Sequence, residues 1–275
     1  MKSQHTIAVT ESASTDFTTI TERPDTRASR GQLSILYTRY RVAARHATGR
    51  DVLEAACGAG VGLGLLARVA RSVVAGDIDP RNCRTAESTY RGRTGITIRQ
   101  FDVQEMPFPS GSFDLVVFYE AIYYIPDLDR CLDEVRRVLR PGGVLLVSSV
   151  NCEWEGFASS PFCVKYYTPR DFVALLERHG FEVDLFAGFP EDSTSSLSRI
   201  VSLIRQIAAR LHLIPKTMKG KEWLKRLFYG RLEPIPAELT DDLSPPAPLD
   251  RIAPSATTAN YRFYYTVATL PGGNP

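Results

Sequence analysis

The residues that could do chemistry lie in four short runs, and the first organises the rest. Residues 51–64 read DVLEAACGAGVGLG, with glycines at positions 58, 60, 62 and 64. Val52 and Leu53 make a short apolar strand that Glu54 and Ala55 close, and Leu65 opens a helical run to Arg71. Strand, glycine turn and helix together bring backbone N–H groups close to a nucleotide-like ligand. Glycine suits such a turn because it reaches positive φ and carries no Cβ to hold the ligand away. The amides between Ala56 and Gly62 are therefore expected to face the ligand.

The second run is Gly76-Asp77-Ile78-Asp79-Pro80, which ends an apolar strand at 72–75. A carboxylate at that strand tip can accept both hydroxyls of a ribose, and Asp77 stands 17 residues beyond Gly60. Asp79 suits the cap of the helix that follows, because Asp-Pro supplies the N-cap and first-turn residues together. The third run is Asp102-Val103, at the end of an alternating strand 96–101. The fourth is Glu120-Ala121-Ile122-Tyr123-Tyr124, after the continuous apolar run 113–119 that a central parallel strand requires. Glu120 is the carboxylate best placed to act as a base on a hydroxyl or carbon nucleophile, with Asp127 behind it. It could instead bind the amino group of a cofactor or cap a helix. His46, His179 and His212 fall on helices away from the strand tips.

A dinucleotide fingerprint needs Gly-x-Gly-x-x-Gly directly after the strand, and from Gly58 or Gly60 the third position is Leu63 or Leu65. An NAD-dependent reductase is therefore not expected. Glu54-Ala55-Ala56-Cys57-Gly58-Ala59-Gly60 instead resembles the first motif of class I S-adenosylmethionine-dependent methyltransferases of the type 11 domain, with Ala56 where that family more often has glycine. Three later stretches resemble the family in the same order: Asp102-Val103, residues 105–109, and residues 139–147 (LRPGGVLLV). The core resembles the ubiquinone- and menaquinone-type methyltransferases. The resemblance implies S-adenosylmethionine as methyl donor, with Asp102 on the adenine amine and the Val103 amide near the ring. The cofactor-binding set is then Glu54, Ala56, Cys57, Gly58, Gly60, Asp77, Ile78, Asp102, Val103 and Tyr119, with Tyr40 (or Tyr37) reaching from the preceding helix unless both simply pack on the sheet.

These residues need an α/β scaffold. The expectation is a Rossmann-like, doubly wound sheet of seven strands, mostly parallel, with an antiparallel last strand at 261–270 and a helical insertion between strands six and seven. Residues 30–48 read as a helix, with Leu33, Leu36, Tyr37, Tyr40 and Ala44 at 3- and 4-residue spacing. The domain plan is a mobile Ser/Thr-rich tail at 1–29, a methyltransferase core at 30–189 and 261–270, and an insertion at 190–260. Within the insertion, residues 196–231 hold nine Lys and Arg against one acid, on two expected helices at 198–213 and 223–229. An apolar stripe edged by arginines fits a lid over the active site, or a helix lying in a lipid interface. Residues 233–254 contain six prolines and read as an extended strap.

Of 275 residues, 44% are hydrophobic and 23% charged, the composition of a chain with a substantial core. A net charge of +2 gives no argument for nucleic acid. Five cysteines without a C-x-x-C pair give neither a disulfide framework nor a metal site, and reduced thiols are expected. No signal-like or bilayer-length apolar run is seen, so the expected location is cytoplasmic, with peripheral membrane contact through 196–231 as an option.

The expected activity is methyl transfer to a small molecule or a glycan- or lipid-linked precursor, O-methylation ahead of C- or N-methylation. The catalytic candidates are Glu120 and Tyr124. Tyr123, Trp154 and Tyr166 are the substrate candidates, because aromatic faces can shape the pocket around a sulfonium methyl. The alternative is a non-catalytic module that binds S-adenosylmethionine and uses the insertion to hold a partner.

Overall fold

The computed structural model describes residues 16–24, 26–160, 162–191, 232–241, 243 and 245–272. The chain builds a three-layer α/β unit in which ten strands and five α-helices are described. Eight strands form one sheet in the order β4-β3-β2-β5-β6-β10-β7-β9. These are β2 (Asp51–Ala55), β3 (Ser72–Asp77), β4 (Ile96–Gln100), β5 (Phe113–Tyr119), β6 (Leu139–Val150), β7 (Glu182–Pro190), β9 (Leu249–Arg251) and β10 (Tyr261–Thr269). The five from β4 to β6 run parallel, and β10 lies antiparallel between β6 and β7.

The sheet thus matches the expected Rossmann-like arrangement, with one addition. The proline-rich stretch lays β9 antiparallel against β7 as an eighth strand. It also supplies β8 (Leu232–Pro234), which pairs with β1 (Arg27–Ser29) in a separate two-stranded ribbon. Because β1 leads directly into the first helix, this ribbon ties the far end of the insertion to the start of the core.

The helices cover both faces because their apolar residues recur every three or four positions. On one face α4 (Leu128–Val138) buries Leu128, Cys131, Leu132, Val135 and Val138 beside α5 (Pro169–Arg178). On the other, α1 (Arg30–Ala47) buries Leu33, Leu36, Tyr37, Tyr40, Ala43 and Ala47 with α2 (Leu63–Ala67) and α3 (Pro80–Thr89). The central β5 is closed from both sides, and each fully buried Leu or Val there contributes roughly 1.5–3 kcal/mol. Local signals set the helix starts: Ser29 and Gln32 form a reciprocal capping box on α1, Asp79 caps α3, and Thr168 caps α5 ahead of Pro169.

Residues 16–24 and 26–29, within the segment expected to be a mobile tail, form structure. Phe17–Thr19 forms a single 3-10 turn capped by Asp16, and β1 begins at Arg27. The reason is aromatic packing, since the Phe17 ring meets Tyr124 and Phe162 edge-on at 5.9 and 6.3 Å. The two basic helices expected at 198–213 and 223–229 lie outside the described residues.

Candidate functional site

At the carboxyl ends of β2, β3 and β5 the sheet opens into a cleft of about 460 Å³. Its floor is the glycine turn and the strand tips. Its outer wall is the N-terminal segment, through Phe17, Ile20, Thr21 and Glu22.

The turn shows why its residue types are needed. Ala56, Gly58 and Gly60 have φ of +56°, +56° and +73°. The position where the resembling family favours glycine is therefore left-handed, and Ala56 occupies it at a cost on the order of 1 kcal/mol. The amides serve differently from expectation. Cys57 N–H donates to the Gly76 carbonyl, Gly58 N–H to Asp77 Oδ2 and Gly60 N–H to the Cys57 carbonyl, at 2.9–3.0 Å. These three bonds fold the turn upon itself and onto β3, so here glycine provides close approach more than free donors. Gly62 has another reason: a Cβ there would lie 2.0 Å from the Tyr40 ring.

That ring matters because the Tyr40 hydroxyl donates to Glu54 Oε1 at 2.5 Å. Tyr40 thus holds a carboxyl at the cleft floor, and Tyr37 donates to the Asp241 carbonyl instead. Glu54 is 2% exposed, and its second oxygen is buried with no hydrogen bond. Burial disfavours the ionised form and pushes the Glu54 pKa up to about 8, against the Tyr40 hydrogen bond, which pulls it down. An acid so placed is poised for a cationic group.

Asp77 closes the next stretch. Its Oδ1 accepts from Asp79 N–H at 2.9 Å and from Asn82 Nδ2 at 3.3 Å, while Oδ2 accepts from Gly58. Burial raises its pKa against these hydrogen bonds. Asp77 lines the cleft, and Oδ2, which accepts one hydrogen bond, keeps a lone pair for a ligand hydroxyl. Ile78, 50% exposed, and buried Val103 present apolar faces to the same part of the cleft. Asp102 is held by the backbone and side chain of Gln104 at 2.8–3.1 Å.

Beyond Tyr119 the cleft changes character. Glu120 has φ of +52°, outside the range most side chains adopt, which turns it from the end of β5 into the cavity. Its Oε1 accepts from Ser148 Oγ at 2.8 Å and its Oε2 from the Tyr123 hydroxyl at 3.2 Å. Burial raises its pKa; Arg39 and the Ser148 hydrogen bond oppose the rise. Tyr123 and Tyr124 stack edge-on at 4.5 Å as an aromatic wall, and Tyr124 donates to Ser160 Oγ at 3.0 Å.

Two ionisable residues of this region were not expected. Arg39 lines the cleft and donates through Nη1 to Glu22 Oε2 at 3.0 Å. Burial works against its charge, but Glu22 and Glu120 outweigh that and hold it protonated. A signal for Arg39 was present: it lies three residues after Leu36 and four before Ala43, on the apolar stripe of α1, where an unpaired arginine does not belong. Glu22 had none.

The structure does not bring every expected residue to the cleft. Trp154 sits under Arg262 at 5.0 Å and donates to Glu191 at 3.2 Å, away from the cleft lining, because the loop after β6 turns toward β10. Tyr166 is one layer back, stacked on Tyr123 at 4.8 Å and bound to Ser160 N–H. Asp127 caps α4, and His179 pairs with Asp129 and Asp133 on the surface. Among the described residues there is no cluster that could hold a metal ion, and all five cysteines are free thiols. No described helix is long and apolar enough to cross a membrane.

Comparison with known proteins agrees with this geometry. Residues 53–147 match the methyltransferase domain family. A probable S-adenosylmethionine-dependent methyltransferase of Mycolicibacterium smegmatis is 37% identical over 149 residues, which cover 53% of this chain and 57% of that protein. A fatty-acid O-methyltransferase of the same organism is 34% identical over 134 residues, covering 42% and 47%. This chain thus spans about half the length of the relatives it matches. Among solved structures, an S-adenosylmethionine-dependent methyltransferase of Thermotoga maritima shares the fold with a TM-score of 0.55 at 13% identity, over 87% of this chain and 92% of that one.

Proposed function

We propose, from the premise that this chain belongs to the class I S-adenosylmethionine-dependent methyltransferases, that it methylates an oxygen of a small, largely apolar acceptor of lipid type. The observation that carries the reading is Glu120, a buried carboxyl turned into the cleft beside an aromatic wall and held by two hydroxyls.

The residues present fit the donor. S-adenosylmethionine carries positive charge on its ammonium and sulfonium and negative charge on its carboxylate, and the cleft is lined by five carboxyl residues and one arginine. The unpartnered Glu54 oxygen suits the ammonium. Asp77 suits the ribose, and Ile78, Asp102 and Val103 the adenine. When bound, the donor supplies an electrophilic methyl group on sulfur.

The chain's own residues do the rest. The wall of Phe17, Tyr123 and Tyr124 excludes water and orients an apolar acceptor, which accounts for much of the rate in a displacement of this kind. Glu120 takes the proton from an acceptor hydroxyl as it attacks. Ser148 and Tyr123 hold the carboxyl in place, and their hydrogen bonds favour its charged form against the burial that raises its pKa. An acceptor that is already ionised, such as a fatty acid carboxylate, would need no base, and Glu120 would have no proton to take from it. The relative named for fatty-acid O-methylation favours an acyl acceptor.

Incubation with methyl-labelled donor and a panel of hydroxylated lipids and free fatty acids tests the reading: labelled ester or ether and released S-adenosylhomocysteine are expected. Donor binding with no label on any panel member would instead support a non-catalytic binding module. Glu120→Gln should lower kcat about 10²-fold or more on a hydroxyl acceptor while leaving donor affinity unchanged by calorimetry. Lost donor affinity would move Glu120 to the cofactor's amino group.

A further inference from the structure

Of the three polar atoms at the cleft that are buried and make no hydrogen bond among the described residues (Asn82 Oδ1 is the third), two have opposite needs: Glu54 Oε2 and Arg39 Nε. The first lacks a donor and the second lacks an acceptor. A ligand carrying an ammonium and a carboxylate on one carbon answers both needs, and the amino-acid end of the donor is such a group. Arg39 is the one cation among the described residues lining the cleft. It is 7% exposed, the Phe263 ring lies 5.7 Å from its guanidinium, and its backbone carbonyl accepts from the Tyr119 hydroxyl at 3.0 Å. Its position is therefore set by the core.

Its partner is set differently. Glu22 reaches Arg39 from the N-terminal segment, and its side chain is 39% exposed. Outside the sheet, that segment is held by the Phe17 ring against Tyr124 and Phe162, by Asn82 Nδ2 donating to Thr21 at 3.2 Å, and by Asp16 pairing with Arg81 at 3.0 Å. A cleft-lining, partly exposed carboxylate thus rests on a fixed arginine, carried there by a segment outside the sheet. It is the same chemical group as the α-carboxylate of the donor.

Building on the methyltransferase reading, we propose that Glu22 is an internal stand-in for the α-carboxylate of S-adenosylmethionine. It neutralises Arg39 while the donor is absent and yields that guanidinium when the donor enters. Arg39 is then a cofactor-binding residue, and its buried charge always has a partner. The apparent affinity for the donor is reduced by the fraction of molecules in which Glu22 occupies the site.

The test is calorimetric binding of S-adenosylmethionine and of decarboxylated S-adenosylmethionine, which differ only in the carboxylate, to the full chain. Glu22→Gln should tighten S-adenosylmethionine by about 5–20-fold, the occupancy effect of a removed competitor, and leave the decarboxylated ligand within about twofold. Arg39→Gln should weaken S-adenosylmethionine by more than about 30-fold and the decarboxylated ligand by less than about threefold, the loss of one charged pair. Circular dichroism checks folding; if Arg39→Gln does not fold, Glu22→Gln alone decides. Glu22→Gln that leaves S-adenosylmethionine unchanged, or alters both ligands alike, overturns the stand-in. Equal weakening of both ligands by Arg39→Gln overturns Arg39 as the carboxylate partner. If the wild-type chain binds neither ligand, the methyltransferase reading itself fails, and the stand-in with it.

Discussion

At the amino-terminal edge of the sheet, Asp51 and Asp114 are met by Arg71 and Arg140 at 2.7–3.0 Å. At the carboxyl-terminal edge, Glu54 and Asp77 are held by a hydroxyl, amides and an asparagine, with no arginine on either. The acids respond in opposite directions. Hydrogen bonding to Arg71 drives Asp51 well below the ordinary carboxylate range. Asp114 is pushed up by burial, but its bonds to the Asp51 amide and Arg140 leave it below that range. Burial without a cation lifts Glu54 and Asp77. An acid matched within the fold is a fastening. One left without a cation is free for a ligand, which for Glu54 suits an ammonium and for Asp77 a diol.

Substitutions at the two edges should therefore differ in kind. The largest effect is expected from Gly62→Val, whose side chain would displace Tyr40 and strip Glu54 of its donor. Calorimetry should show S-adenosylmethionine binding weakened at least about 100-fold, against an overpacking cost of about 1–3 kcal/mol in stability. Next is Glu54→Gln, expected to cost about 10–100-fold in donor affinity, the loss of one buried charge-assisted contact. In the wild type below pH 8 this carboxyl is largely protonated, and an arriving ammonium ionises it. Binding should then release up to about one proton, seen as a heat that depends on buffer ionisation, and Glu54→Gln should abolish the release. Undiminished release in that variant would place the titrating group elsewhere.

The pH dependence of stability sharpens the contrast. The folded pKa of Glu54 is raised, so its contribution is fully present below the unfolded value and is lost as pH rises through about 8. Asp51 and Asp114 are lowered, so theirs is present above the unfolded value and is lost as pH falls toward the folded one. Thermal melts of the ligand-free chain should fall on both sides, and Glu54→Gln should flatten the alkaline side alone. The smallest effect belongs to Arg71→Ala. Its guanidinium is over half exposed, so the melting temperature should barely fall, with donor affinity unchanged.

How much could be read beforehand follows the same division. The glycine turn and its strand-tip acid were legible because backbone geometry restricts residue types: a left-handed turn needs small residues at 56, 58 and 60, and the acid falls at a set distance from them. Strand β5 and helix α4 were legible from apolar patterning. The side-chain network around Arg39 and Glu120 was not. Glu22, Arg39, Glu120 and Ser148 converge from four separate segments, and long-range side-chain convergence leaves no spacing to detect. Trp154 misled because an aromatic in a loop after a strand gives no hint of which way the loop turns. The strand β9 was hidden by prolines, which are tolerated around a sheet edge.

The position of β10 has a consequence for biogenesis. Strand β6 is complete at Val150 and β7 at Pro190, yet the strand that joins them begins only at Tyr261. During synthesis, then, a chain of some two hundred and sixty residues carries two unzipped borders, each a template for wrong partners, until the ribosome delivers the wedge that seals them.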